Sequence, residues 1–333
     1  MPAARLTSAV LLLLTACGPA ATPTPSQTAA PRTATPAPTA RPTPAPIPLL
    51  GSPAIIQVEN SAGGRPQSGL AAADLVYEYV AEGGVGRFSV FFFSTPPTPQ
   101  AVGPVRSART VTIALATLYH GFVAYSGAST YIGGLLGRAP FPSFDEDSAR
   151  GNLFRISTRF APHNLYTDGR HIANLAALAH LAPVPYRLWA RTSSVVGGGV
   201  AITSFTVPVS VFERPRFTWQ PRLNGFSRTE DTGPVVNPAN GAPLTVPTVI
   251  VQQVAVTTDP RVVDVDGHLG VDQGITGSGT AQVFTGGREY QATWTQPASG
   301  PPQYTLGDGS PAPIAPGEVW ISLVPIGQPA AAS

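Results

Sequence analysis

Two arginines separated by two residues are the first candidates for chemistry in this chain. Arg106 and Arg109 lie in the segment GPVRSAR, with Ser107 between them, directly before the apolar run TVTIALATLY. Only 11% of the 333 residues are charged, so two permanent cations ahead of a core segment require an anionic partner. Pro104 favours the first turn of a helix. This predicts that both arginines lie near a helix N-terminus, where free backbone N–H groups and two guanidinium groups bind a phosphate or carboxylate.

Two glutamates in the preceding segment YEYVAEGG are the predicted internal partners of these arginines. Glu78 and Glu82 share one face if this segment is a strand, because side chains alternate with a period of two. Two alternatives remain. Either the glutamates pair with both arginines in an internal ion network, or they orient the arginines while one guanidinium group stays open to a ligand. Arg87, just after the glycine-rich turn, is assigned a supporting role in the same anion site.

A second polar candidate is the loop APHNLY, which contains His163 and Asn164. The rival hypothesis is a hydrolase or transferase that acts on a cell-envelope polymer, with Glu82 or His163 as the acid/base. No G-x-S-x-G elbow surrounds Ser107, which leaves that serine without a recognisable nucleophile context. The chain also contains no lysine, which excludes Schiff-base catalysis and a phosphate-loop lysine. No catalytic residue is assigned.

The N-terminus predicts a lipid anchor. One arginine precedes the apolar run from Leu6 to Leu14, which is the pattern of a signal peptide over residues 1–16. Cys17 is the only cysteine, and its place after Leu-Thr-Ala resembles a lipobox. Several acyl chains on one residue would give stable membrane attachment. Residues 17–49 are rich in Pro, Thr and Ala and predict a disordered tether on the outer face of the cytoplasmic membrane.

The elements that must position these residues form two predicted domains. Residues 75–80 and 88–93 predict a hairpin, and residues 110–119 and 169–181 predict helices. Strands and helices therefore interleave in an α+β domain over residues 50–190. Beyond residue 204 the apolar segments are short, β-branched and separated by turn residues, which predicts a β-rich sandwich or open barrel over residues 204–327.

The order of several motifs resembles the YerB-like family, a two-domain family of predicted bacterial lipoproteins with no established activity. The motifs are RPQSGL (65–70), ADLVYE (73–78), EGG (82–84), GPVRSAR (103–109) and APHNLY (161–166). The resemblance covers roughly residues 50–325 and implies an extracytoplasmic envelope protein. One departure is Gly86, where the family's EGGxTR pattern implies a hydroxyl residue.

Composition and motifs restrict the classes of molecule that this protein is expected to bind. A formal charge of +2 without a basic block disfavours nucleic acid. Asp264, Asp266 and Asp272 lie in a loop that could hold calcium, but the bidentate glutamate of an EF-hand loop is missing and a plain turn is favoured. We therefore expect no metal and no cofactor. The expected partners are the membrane, reached through Cys17, and an anionic envelope ligand; a further envelope protein that binds the C-terminal domain is the alternative.

Overall fold

The computed structural model of this protein describes residues 49–94, 96, 100–192 and 197–333. The predicted signal peptide, Cys17 and residues 17–48 of the predicted tether lie outside the described residues. Within the described ranges, no helix is long and apolar enough to cross a membrane. The described residues belong to one compact unit, which is rich in β-strands.

The N-terminal half contains eight strands and three α-helices among its described residues. The strands are β1 (Leu49–Glu59), β2 (Leu75–Val80), β3 (Gly86–Ser94), β4 (Ala101–Val102), β5 (Phe122–Ala124), β6 (Ser143–Phe144), β7 (Phe154–Arg155) and β8 (Leu165–Asp168). The helices are α1 (Thr110–Tyr119), α2 (Thr130–Leu136) and α3 (Gly169–Ala179). Short 3₁₀ turns span Ala62–Gly64, Leu70–Ala72 and Glu82–Gly84.

The C-terminal half consists of strands and loops in its described residues, as predicted for a β-rich segment. The strands are β9 (Val200–Ala201), β10 (Ser204–Thr206), β11 (Arg216–Gln220), β12 (Gly225–Glu230), β13 (Gly233–Pro234), β14 (Thr245–Val246), β15 (Thr248–Val263), β16 (Leu269–Gly274), β17 (Ser278–Thr285), β18 (Arg288–Thr295), β19 (Gln303–Leu306), β20 (Val319–Pro325) and β21 (Ala331–Ala332).

One central sheet runs through both halves of the chain. Its order is β19-β18-β17-β15-β20-β2-β3-β1-β5-β6, with β16 added beside β15 and β9 beside β18. The two halves meet where β20 pairs in parallel with β2, from Leu75 opposite Val319 to Glu78 opposite Ser322. The segments that the sequence divides into two domains therefore share a continuous hydrogen-bonded sheet.

The strands at this junction are buried on both faces, and their side chains alternate between two cores. Trp320 and Val324 of β20 face one core, whereas Ile321 and Leu323 face the other. This period of two is the geometry of any strand. When both faces are covered, the sequence reads as a continuous apolar run instead of an alternating pattern.

Different elements cover the two faces of the central sheet. A six-stranded sheet (β13-β12-β11-β10-β21, with β14 beside β12) packs on one face, where Phe205 stacks on Phe284 with ring centroids 3.7 Å apart. Helix α3 also contributes to this core. Helix α1 and helix α2 cover the opposite face through Val111, Leu115 and other apolar side chains. A three-stranded sheet, β4-β8-β7, completes the N-terminal half.

The locally predicted elements are found where the sequence placed them. Strands β2 and β3 form the predicted antiparallel hairpin, and α1 occupies residues 110–119 as expected. Helix α3 begins at Gly169 and ends at Ala179, where His180 adopts a left-handed conformation with φ 50°. The prediction that Pro104 starts a helix is wrong. Residues 103–109 are extended, and α1 begins only at Thr110.

Candidate functional site

A pocket of about 580 Å³ gathers most of the charged residues singled out in the sequence. Its walls come from the end of β1, the turn at residues 82–85, the start of β3, the segment 106–109 and the start of α2. The loop at His163 and the hairpin between β15 and β16 complete the lining. Of the predicted site residues, the lining contains Glu82, Arg87, Arg106, Ser107, Arg109 and His163.

Arg87 is the deepest cation of this pocket. It is the second residue of β3 and only 6% exposed. Among the described residues its guanidinium has neither an ion pair nor a hydrogen bond, and its Nε and Nη1 atoms are both buried without a partner. Burial, together with Arg109 and Arg106 nearby, lowers the pKa of Arg87 to about 10. The group is therefore still protonated at pH 7 and is a buried positive charge without an ion pair or hydrogen bond among the described residues, which Glu59 offsets only through space.

The other two arginines have carboxylate partners of unequal quality. Arg109 forms a close ion pair with Glu82 and also donates from Nη1 to the carbonyl oxygen of Ala108 over 3.0 Å. The Nε atom of Arg106 is 3.7 Å from an oxygen of Glu59, too far for a hydrogen bond. Arg106 Nη1 donates to the carbonyl oxygen of Pro162 over 3.3 Å. Arg109 is thus held by its partner, whereas Arg106 is only loosely engaged.

The backbone of the GPVRSAR segment is not the anion site that a helix N-terminus would provide. The N–H of Arg106 donates to Gln57, and that of Ala108 donates to Gly127. The N–H of Arg109 donates to the hydroxyl of Thr112. Because these three donors already have partners, anion recognition by this segment depends on its side chains and on the N–H of Ser107. The Ser107 hydroxyl lines the pocket and has no hydrogen-bond partner among the described residues.

Glu59 is the site residue that the sequence analysis missed. One of its oxygens accepts from the Ser61 hydroxyl over 2.6 Å, and the other lies 2.8 Å from Nδ1 of His163. Pairing of β1 with β3 places Glu59 directly opposite Arg87. The local signal was a polar Glu-Asn pair at the end of the apolar strand AIIQV. Its meaning depends on the register with β3, which a single sequence does not display.

Two of the predicted site residues lie elsewhere. Asn164 faces Arg155, whose Nη1 donates to its side-chain oxygen over 2.6 Å. Glu78 is fully buried and binds Arg228 of β12 through bonds of 3.0 and 2.6 Å, with further hydrogen bonds from Trp320 and Ser322. The expectation that Glu78 supports Arg106 or Arg109 is therefore wrong, because its partner comes from the second sheet, in the C-terminal half.

Gly86, the residue that departs from the family pattern, makes room for a carboxylate. A Cβ atom on Gly86 would lie 1.9 Å from Oε2 of Glu213. That oxygen also accepts a hydrogen bond of 2.9 Å from Asn60. Burial, with Glu78 and Glu230 nearby, raises the pKa of Glu213 to about 7. The space that a hydroxyl side chain at residue 86 would need is thus filled from the C-terminal half.

The hairpin between β15 and β16 closes over one side of the pocket. Gln273 donates to the carbonyl oxygen of Val80 over 2.7 Å, and the His268 ring packs against Gly83. Asp264, Asp266 and His268 have potential metal-ligand atoms within 4.8 Å of one another. Both oxygens of Asp264 already hold the turn through Asp266 and His268. This arrangement is that of a turn-forming carboxylate, and it gives no reason to assign an ion.

Comparison with known proteins identifies the family. Residues 40–182 match the family described as "Protein of unknown function (DUF3048) N-terminal domain", and residues 205–321 match its C-terminal domain. The Bacillus subtilis (strain 168) protein named "Putative lipoprotein YerB" is 28% identical over 295 residues, covering 82% of this chain and 81% of the relative.

A solved structure shows the same fold. The structure titled "Crystal structure of YerB protein from Bacillus subtilis" matches with a TM-score of 0.68 and 24% sequence identity, covering 85% of this chain and 93% of that chain. Both family segments are present in order, and the likeness extends over most of each compared chain. This chain therefore belongs to the YerB-like family, whose two segments are described only as proteins of unknown function.

Proposed function

We propose that this protein is a lipid-anchored envelope protein whose pocket binds an anionic group through Arg87, Arg106 and Arg109. The observation that carries the proposal is Arg87, a buried guanidinium without a hydrogen-bond partner among the described residues. Buried polar groups are nearly always paired, and a buried charge without a partner is costly. A bound phosphate or carboxylate would supply the missing acceptors.

The inner part of the pocket, rather than the sum of its lining charges, supports an anion over a cation. Three guanidinium groups face two buried carboxylates, those of Glu59 and Glu82. The oxygens of Glu59 are engaged by Ser61 and His163, so Glu59 forms no ion pair with Arg87 and its charge acts on Arg87 only through space. Two further carboxylates, Asp264 and Asp266, line the outer part of the pocket. Asp264 is partly exposed and engaged by His268, and Asp266 is exposed, so solvent and salt weaken their influence. Arg87 acts from a site of low dielectric constant, where the same charge has a stronger effect.

The pocket favours binding over acid/base catalysis. The Nδ1 atom of His163 is engaged by Glu59, and its Nε2 atom packs against Gly63, where a Cβ atom would be only 2.8 Å away. His163 lines the pocket, but one ring nitrogen is occupied and the other is crowded by Gly63. Glu82, the other candidate acid/base, is held by Arg109. A binding role needs none of these groups to transfer a proton.

The anion site is tested by isothermal titration calorimetry with inorganic phosphate, pyrophosphate and acetate. Arg87→Gln should weaken binding of the preferred anion roughly ten- to hundredfold, because each hydrogen bond to a charged group contributes about 1.5–3 kcal/mol. Arg155→Gln is the matched control, since it removes the same charge from a surface ion pair with Glu146 outside the pocket. The proposal fails if no anion binds, or if Arg87→Gln binds as tightly as Arg155→Gln.

The proposed location is the outer face of the cytoplasmic membrane, reached through acyl chains on Cys17. A tether of about thirty residues would span up to ~90 Å if it were extended at about 3.1 Å per residue. Cys17→Ser should abolish incorporation of an alkyne-labelled fatty acid and release the protein from the membrane fraction. Continued labelling of that variant would contradict the assignment. Protection of the folded part from protease added to intact protoplasts would contradict the outward orientation.

A further inference from the structure

The hairpin that borders the anion pocket exposes three apolar side chains at its tip, among the polar residues Asp264, Asp266 and His268. β15 pairs with β17 and β20 only up to Val254, and from Ala255 onward its sole strand partner is β16. The end of this two-stranded ribbon carries Val263, Val265 and Leu269. Val265 is fully exposed, while Val263 and Leu269 are 49% and 44% exposed. We call these three side chains the apolar lip.

The apolar lip lies at the mouth of the pocket that contains Arg87. Val263 and Val265 both contribute to the pocket lining, and Val263 is paired across the ribbon with Leu269. Three of the nine large exposed apolar residues in the described part of the chain therefore cluster on one short turn. Single exposed apolar residues are common on protein surfaces, but a cluster beside a binding pocket marks an interaction site.

The ribbon is anchored over the pocket from two directions. On one side it contacts the turn that contains Glu82, through His268 against Gly83. On the other side the Arg261 guanidinium lies 4.6 Å from the ring centroid of Tyr131 in α2. These contacts hold the apolar lip next to the opening, so a ligand bound to Arg87 and extending out of the pocket would meet it.

We infer that the ligand is an anionic amphiphile of lipid type, whose phosphate head group occupies the pocket and whose aliphatic chain lies along the apolar lip. This inference rests on the proposed anion-binding function and adds that the bound anion carries an aliphatic chain. The buried guanidinium of Arg87, which has no hydrogen-bond partner among the described residues, accounts for the head group. Burial of apolar surface accounts for the chain, since each methylene removed from water strengthens binding about fourfold.

The test is a titration of the full chain carrying Cys17→Ser, which has no acyl groups of its own, with methyl, butyl, hexyl and octyl phosphate below their micellar concentrations. The affinity should rise with chain length, by about tenfold or more from methyl to octyl phosphate. In the double variant V263S/V265S this ratio should fall to about 1. Leu223→Ser, which alters an exposed apolar residue outside the pocket lining, should retain the full ratio.

Two results would overturn the inference and are distinguishable from failure of the anion site. Equal affinity for all four phosphates would show that the lip does not contact the chain, while the anion site would stand. A chain-length effect that persists in V263S/V265S, or that appears equally with octyltrimethylammonium, would place the aliphatic contact elsewhere. Absence of binding by any phosphate would refute the anion site and the amphiphile together.

Discussion

Replacing Arg228 by methionine tests whether a buried charge network joins the two halves of the chain. The Arg228 side chain is 1% exposed and binds both Glu78 of β2 and its own neighbour Glu230. Its guanidinium also lies 4.7–5.4 Å from the ring centroids of Phe88, Phe217 and Trp320. Burial lowers the pKa of Arg228, but Glu230 and Glu78 outweigh it and raise this pKa above its ordinary value.

The expected loss in the free energy of unfolding is about 3 kcal/mol. Removing one partner of a buried ion pair typically costs about 3–5 kcal/mol, because the remaining charge is left without compensation. Glu78 keeps hydrogen bonds of 2.9 Å from Trp320 and 2.8 Å from Ser322, which places the loss near the lower end. Methionine retains the volume and the favourable contact of its sulfur with aromatic rings. The change therefore removes mainly charge.

Equilibrium urea unfolding at pH 7 measures this loss, with tryptophan fluorescence and far-UV circular dichroism as two probes of one transition. Arg222→Met changes an exposed arginine in the turn between β11 and β12 and should alter stability by no more than about 0.5 kcal/mol. The double variant E78Q/R228M should be more stable than R228M, because it removes one stranded carboxylate. A loss below about 1 kcal/mol for R228M, or no recovery in the double variant, would refute the reasoning.

Three further predictions concern the site and its surroundings. Because the pKa of Glu213 is about 7 in the folded protein against an ordinary 4.5, the wild type loses stability as pH rises from about 4.5 to 7. The free energy of unfolding of Glu213→Gln relative to that of the wild type should therefore increase over that interval by up to about 3 kcal/mol. Urea unfolding at pH 5 and pH 8 measures this difference in stability, and equal values at the two pH values would contradict the prediction. Arg87→Met should raise the melting temperature in anion-free buffer, since it removes a buried unpaired charge; a lower melting temperature in differential scanning calorimetry would argue against this. Gly86→Thr should lower the free energy of unfolding by about 1–3 kcal/mol, because the new side chain overpacks against Glu213. The loss should be recovered in a Glu213→Ser background, and the control Gly133→Thr, at a position with open space, should cost less. No recovery would mean that the strain lies elsewhere.

Local pattern in the sequence was sufficient for the elements that carry the site. The β-branched and aromatic residues of β2 and β3, separated by glycines, predicted their hairpin, and the periodic apolar residues of α3 predicted a helix. The same local reading brought Glu82, Arg87 and Arg109 together as one charge group, because they follow one another along a hairpin and its neighbouring segment. These interactions depend on residues that are close in sequence or belong to consecutive elements.

The partners of the two glutamates show where this reasoning ends. Glu78 and Glu82 are four residues apart and look equivalent in the sequence. In the structure Glu82 binds Arg109, 27 residues later, and Glu78 binds Arg228, 150 residues later. The sheet decides this difference. Packing of the six-stranded sheet on one face of the central sheet brings Arg228 of β12 to Glu78, and no local period of the sequence encodes that packing.

The sequence by itself determined the predicted attachment at Cys17, the strands and helices with strong local patterns, and the group of arginines and carboxylates around Arg106 and Arg109. Tertiary structure alone decided which cation is left without a partner. The register of β1 and β3 sets Arg87 opposite Glu59, but the oxygens of Glu59 are engaged by Ser61 and His163, so Arg87 has no ion pair or hydrogen bond among the described residues. The burial of a side chain and its hydrogen-bond partners depend on the atoms around it, and those atoms come from distant parts of the chain.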